Sequence, residues 1–215
     1  CKSLTSITIP EGVTAIPQYA FCNASNLKTV NLPSTLKKIN YSAFSGCSGL
    51  TSINLPDGLQ VLDSYAFQNC TGLRSVSIPG SVATIKDAAF FGCTGLTSIE
   101  IGKGTTSIGV DAFYNCTGLT SVSLPDGLES IYRYAFQNCS SLESIVLPDS
   151  ITLLGTNVFD GCSKLTSVNY PTSWNSMDSG TYGCRSPFGY CKSLTSITIP
   201  EGVTAIPQYA FCNAS

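Results

Sequence analysis

Phenylalanine returns along this chain at a constant step of 23, at Phe21, Phe44, Phe67, Phe90, Phe113, Phe136 and Phe159. One step of 29 then reaches Phe188, and a further 23 reaches Phe211. Leucine keeps the same time at Leu4, Leu27, Leu50, Leu73, Leu96, Leu119, Leu142, Leu165 and Leu194. A unit this short cannot bury its own apolar side, whereas stacked units share one continuous core. The period therefore predicts a β-rich repeat solenoid, one continuous domain over 1–215, with six extra residues inserted within 172–187.

Superposed, the units give C-x-x-L-x-x-[IV]-x-[IL]-P-x-x-[VL]-x-x-[IL]-x-x-x-A-F-x-x-C. In Ile7-Thr8-Ile9 apolar and polar residues alternate, as in a half-buried strand. Pro10 ends that ladder because it has no N–H to donate. Pro10-Glu11-Gly12, Pro56-Asp57-Gly58 and Pro125-Asp126-Gly127 carry turn chemistry. Val13 and Ile16 begin a return path, and Ala20-Phe21 fill the interior. Two residues beyond nearly every such Phe stands Asn or Gly, namely Asn23, Gly46, Asn69, Gly92, Asn115, Asn138 and Gly161. Both residue types tolerate left-handed backbone, so a capped turn is expected there. The expected architecture is a parallel sheet along one face, with short turns or 3-10 segments on the other. At ~4.8 Å per coil, eight coils would rise on the order of 40 Å.

The stretch Cys47-x-x-Leu50-x-x-Ile53-x-Leu55-Pro56, followed by Ala66-Phe67-x-x-Cys70, resembles the BspA-like, Treponema-type leucine-rich repeats. The likeness covers nearly the whole chain. It implies a leucine-rich repeat solenoid of bacterial or protist cell surfaces that serves adhesion and binds host or neighbouring-cell components.

Charged residues make up 11% and the net charge is −2, which argues against nucleic acid and against a polybasic membrane contact. No apolar run approaches the ~20 residues that cross a bilayer, so no membrane insertion is expected in this segment. The chain has no histidine, which removes Ser-His and Cys-His activation. Asp57, Asp126 and Asp149 occupy turns rather than a cleft, and Lys103 takes the same place in a neighbouring coil, so a solvated rim is the expectation over calcium. No catalytic residue, metal or cofactor is expected.

Cys47, Cys70, Cys93, Cys116, Cys139 and Cys162 stand in register, and no C-x-x-C pair suggests zinc. A ladder of buried thiols packing as small apolar groups is the expectation. Cys184, which belongs to the six-residue insertion, has Cys162 and Cys191 as possible disulfide partners.

Two surfaces qualify for recognition. The outward side of the sheet should present Thr8, Asn31, Asn54, Ser77, Glu100, Ser123 and Asn169, short hydroxyls and amides that are nearly uncharged. It is either an inert polar face or a binding surface for proteins or glycans. The stretch carrying the insertion holds Trp174, the sole tryptophan, and Tyr182. Those two are either exposed contact residues or a local plug over the core. Asn23, Asn69, Asn115 and Asn138 head glycosylation sequons in one phase, and Asn40 heads another in a different phase.

The stretch from Cys1 to Ser25 recurs without change from Cys191 to Ser215, which lays a period of 190 over the short one. Nothing in a single coil demands such identity. The expectation is a segment of a tandem array or fibre, continuing past Ser215 with a sequence close to Asn26-Leu27-Lys28 and joining identical segments head to tail.

Overall fold

The computed structural model describes residues 3–178 and 185–212 of the 215. The typical coil carries a strand, a turn, a second short strand and a tight irregular corner. In the first coil Ser6–Thr8 (β1) runs to Pro10, and Ala15–Ile16 (β2) follows the turn. Thr29–Asn31 (β3), Lys38–Ile39 (β4) and Val61–Leu62 (β5) continue the pattern. Ser75–Ile78 (β6), Thr84–Ile85 (β7), Ser98–Ile101 (β8), Ser107–Ile108 (β9) and Ser121–Ser123 (β10) occupy the middle. Ser130–Ile131 (β11), Ser144–Ile145 (β12), Leu153–Gly155 (β13), Ser167–Val168 (β14) and Ser176–Asp178 (β15) complete it.

All pairing is parallel and keeps the step of 23, as in Ile7↔Val30, Val76↔Ile99 and Ile16↔Ile39. The front side is a sheet in three segments, β1-β3, β6-β8-β10 and β12-β14, with Ser52 bridged to Ser75. The return side departs from expectation. It is itself a continuous eight-stranded parallel sheet, β2-β4-β5-β7-β9-β11-β13-β15. Its strands are two or three residues long, and ladder bonds such as Lys38 N–H to Thr14 C=O at 3.1 Å hold them.

The corner stacks by a different rule. Tyr19, Phe21 and Asn23 donate their N–H groups to the carbonyls of Tyr41, Ala43 and Ser45 in the following coil, at 3.1, 2.8 and 2.7 Å. At the front strands N–H groups point both ways, that of Lys28 back to Thr5 and that of Ile9 forward to Asn31. The corner achieves this with two left-handed residues per coil. One is the expected set, including Asn23 (φ 58°), Gly46 (φ 75°) and Asn69 (φ 56°). The other was not foreseen and includes Tyr19 (φ 59°), Tyr65 (φ 60°) and Tyr134 (φ 63°). These segments are turns, and the described residues contain no helix or 3-10 segment.

Inside, the repeat becomes columns. Phe21 through Phe159 and on to Phe188 form a stack with neighbouring centroids 5.1–5.8 Å apart and planes within 11° of parallel. Coil spacing fixes that separation, which leaves the rings offset rather than face to face. Cys47 to Cys162 form the expected thiol ladder, joined by Cys191. Each thiol donates to a carbonyl in the preceding coil, as Cys93 does to Phe67 at 3.1 Å and Cys191 to Phe159 at 3.1 Å. Burial pushes the thiols up, Cys47 to about 11 and Cys93 and Cys191 to about 12. Cys184 lies outside the described residues, while Cys162 and Cys191 are free thiols.

Register also corrects the reading of Trp174. Leu153↔Ser176 and Leu154↔Met177 keep the step of 23, so the extra residues come after Asp178. Trp174 therefore occupies the core column of Leu36, Leu59, Val82, Leu128 and Ile151, at 2% exposure. Its Nε1–H donates to the Ser176 carbonyl at 2.9 Å, and its ring touches Tyr170, Phe188 and Phe211. Trp174 is a core plug, not an exposed contact residue. Tyr182 lies outside the described residues.

Candidate binding surfaces

Period-two alternation turns the middle residue of each front strand inward and its neighbours outward. Thr8, Asn31, Asn54, Ser77, Glu100, Ser123 and Asn169 accordingly stand exposed in one column, one coil apart except for the place held by Val146. Val146 is 74% exposed, an apolar knob in an otherwise polar row. Neighbours in the column touch: Asn31 Nδ2 donates to Thr8 Oγ1 at 3.1 Å, and Ser77 Oγ to Glu100 at 3.4 Å. Asn169 is committed to the fold. Its amide donates to the Leu147 carbonyl at 2.8 Å and accepts from the Leu147 N–H at 2.7 Å, replacing backbone pairing just past β12-β14.

A shallow groove of about 440 Å³ runs over Ser75, Ser77, Ser98, Glu100, Ser121 and Ser123. A second depression of about 320 Å³ continues it past Ser144 and Val146 to Asp126. Among the described residues, Glu100 is the sole titratable side chain lining the first. That groove can offer a ligand hydrogen bonds from its hydroxyls and one carboxylate.

The sequon asparagines follow the corner. Asn23 and Asn69 are exposed, Asn115 and Asn138 half-buried. Asn40 spends its Nδ2 on the Ile16 carbonyl at 2.9 Å.

The return sheet carries a groove that the sequence did not signal. It measures about 470 Å³ and is lined by residues that include Lys86, Asp87, Gly109, Tyr132, Arg133 and Asp178. Lys86 Nζ meets Asp63 at 3.1 Å, and Arg133 reaches over two coils to both carboxylate oxygens of Asp178 at 3.3 Å. Asp87 accepts the Val110 N–H at 2.9 Å. Burial, helped by the Asp87 charge, raises the carboxyl of nearby Asp111, against the pull of Arg133. Only the discovery that the return path is a sheet puts these residues side by side.

Among the described residues, no three His, Cys, Asp or Glu side chains gather as a metal site, and no helix is long and apolar enough to cross a membrane.

Comparison with known proteins gives the same picture. The family model described as the BspA type leucine rich repeat region matches in six copies, over residues 1–120 and 84–215. A leucine-rich repeat protein from Bacteroides ovatus is 29% identical with a TM-score of 0.69, the match covering 100% of this chain and 65% of that one. A leucine rich cell surface protein from Faecalibacterium prausnitzii is 27% identical with a TM-score of 0.57, covering 92% of this chain and 60% of the other. The leucine rich repeat protein of T. pallidum is 25% identical with a TM-score of 0.59, covering 96% and 86%. This chain thus spans under two thirds of the length of the first two. No curated protein matches the sequence.

Proposed function

This chain belongs to the BspA-type leucine-rich repeat family, and from that membership we propose that it is a non-catalytic adhesive scaffold of the cell surface. Its partner is a protein or glycan held against the front sheet. The observation that carries this reading is the exposed column of short polar side chains over the groove at Ser75 to Ser123. Ser, Thr and Asn have few rotamers, so fixing them against a partner costs little entropy compared with Lys or Glu. The parallel ladder beneath holds them at a fixed pitch, so many weak bonds form together. The surface setting rests on the family and on the description of the Faecalibacterium protein.

The test is a paired binding screen against immobilised extracellular-matrix proteins and a glycan array. A double variant, Ser77→Arg with Ser123→Arg, fills the groove with bulk and charge at exposed positions. Capture by the parent chain, lost in a variant that melts at the same temperature, supports the front sheet. Equal capture by both rejects it.

A second reading, that copies join head to tail, has its own support in the repeated stretch. Ile16 is buried under the coil that carries Ile39, while Ile206, in the same sequence, is 52% exposed. A segment with the sequence of residues 26–47, from the same chain or another copy, fits over Ile206. Sedimentation velocity across a concentration series tests the intermolecular form; a monomer at every concentration removes it.

A further inference from the structure

We propose that the return sheet holds a second binding site, centred on Tyr132, for a neutral pyranose ring of an oligosaccharide. The column that runs along this sheet reads Asp63, Lys86, Gly109, Tyr132, Gly155, Asp178. Both glycines have a local reason. A Cβ on Gly109 would meet the Asp87 Oδ1 and lie 2.8 Å from the Asp87 backbone N, and one on Gly155 would run into the Arg133 backbone, so neither position has room for a side chain. The consequence on the surface is an aromatic ring with no side chain on either side of it in its own column.

Tyr132 is 36% exposed, and among the described residues it has no ring partner, unlike the paired Phe91 and Tyr114 of the corner. Lys86 and Tyr132 stand two coils apart, roughly 9–10 Å at the usual strand spacing. A ring lying over Gly109 would rest about 4–5 Å from each, close to ordinary contact distance. It would lie between Lys86 and Tyr132 above the Asp87 carboxylate, whose Oδ1 fills the space directly over Gly109.

The polar groups around that space select the chemistry. Arg133 has five N–H donors, and the ion pair with Asp178 uses one nitrogen. Asp87 has one oxygen on Val110 N–H and a second oxygen beside the groove. Lys86 supplies a further donor. A pyranose presents polarised C–H bonds to the negative face of a phenol ring and hydroxyls at its rim, which both donate and accept. The charges do not favour an anion. Lys86 and Arg133 give two positive groups against three negative ones in Asp63, Asp87 and Asp178, and both cations already have carboxylate partners. The site stands on the sheet opposite to the one assigned to the partner above, so neither depends on the other.

Backbone amide NMR of the 215-residue chain, titrated with cellohexaose, maltohexaose and chitohexaose, tests this directly. The expected result is a saturable shift of the Gly109, Val110, Tyr132 and Arg133 amides with at least one of these, while the Ser77 and Ser98 amides stay in place. Tyr132→Ala should weaken it about tenfold or more, a change of ~1.4 kcal/mol. Tyr132→Phe should keep it, and Arg133→Gln serves as an independent surface variant if Tyr132→Ala disturbs the spectrum. The front-sheet double variant should bind as well as the parent. No shift with any of the three sugars, a shift seen only with a sulfated heparin hexasaccharide, or equal binding by Tyr132→Ala and Arg133→Gln overturns the proposal.

Discussion

The stretch around β1 and β2 and the stretch from Cys191 onward have the same letters and different structures. In the first, Ser6–Thr8 and Ala15–Ile16 are strands; in the second, residues 196–198 and 205–206 carry no strand. Pro17 and Ala20 are exposed in the first copy, while Pro207 and Ala210 are buried in the second, and Ile16 and Ile206 invert the pattern. Each copy covers the side that the other leaves open, because one has its neighbour after it and the other before it. Yet the turns are the same: Gly12 and Gly202 have φ of 92° and 90°, and Tyr19 and Tyr209 have φ of 59° and 70°. Local sequence sets the bends, and neighbouring coils make the strands.

The largest effect that would sharpen this division is alkaline unfolding. The ladder thiols owe their environment to stacking, and folding holds them neutral well above the ordinary thiol value of 9.0. Unfolded thiols lose their protons near pH 9 while folded ones keep theirs, so stability is fully present below pH 9 and falls as pH rises toward about 12. Urea midpoints should stay level up to that point and then drop. Replacing Cys93, Cys116 and Cys139 together by Ala should move the drop to higher pH. An unchanged alkaline limb in that variant would show that the thiols do not govern it.

Next in size is the isoleucine pair. Ile16→Ala should cost about 2–5 kcal/mol in urea unfolding, as for other buried isoleucines. Ile206→Ala, in the same sequence, should cost no more than about 1 kcal/mol. Equal costs would break the comparison.

The smallest effect should be the same in both copies. Gly12 and Gly202 have open space where a Cβ would go, so Ala at either meets only backbone strain, about 1 kcal/mol. Hydrogen exchange of each coil's own amides should register the same loss. A difference would mean that stacking, too, shapes these turns.

What could be read beforehand follows the same division. The core columns, the thiol ladder and the left-handed Asn and Gly were legible because each needs one residue type at one phase. The front column was legible because three-residue strands such as β3 still show alternation. The return sheet was not, since two residues such as Lys38–Ile39 carry no period, and nothing marked Tyr132 and Arg133, which follow β11, as members of a face. Tyr19 and Tyr134 gave no sign of their left-handed backbone, because the stack imposes it on residue types that do not favour it. Trp174 was left between contact residue and plug because the position of the extra residues shows only in the pairing of β13 with β15.

The bonds between coils run along the long axis of the array, forward from the corner and in both directions from the strands. A load applied along that axis therefore pulls directly on the joints between neighbouring coils, and each joint is nearly independent of the others. Among the described residues, the joint after β14 and β15 has neither front-sheet nor return-sheet pairing, whereas the joints after β3 and β10 lack only the front ladder, so it would give first. One coil that peels away releases roughly 75–80 Å of chain in exchange for ~5 Å of stacked height. A chain built this way lengthens more than tenfold per opened unit under tension, and every coil still closed keeps its surfaces intact.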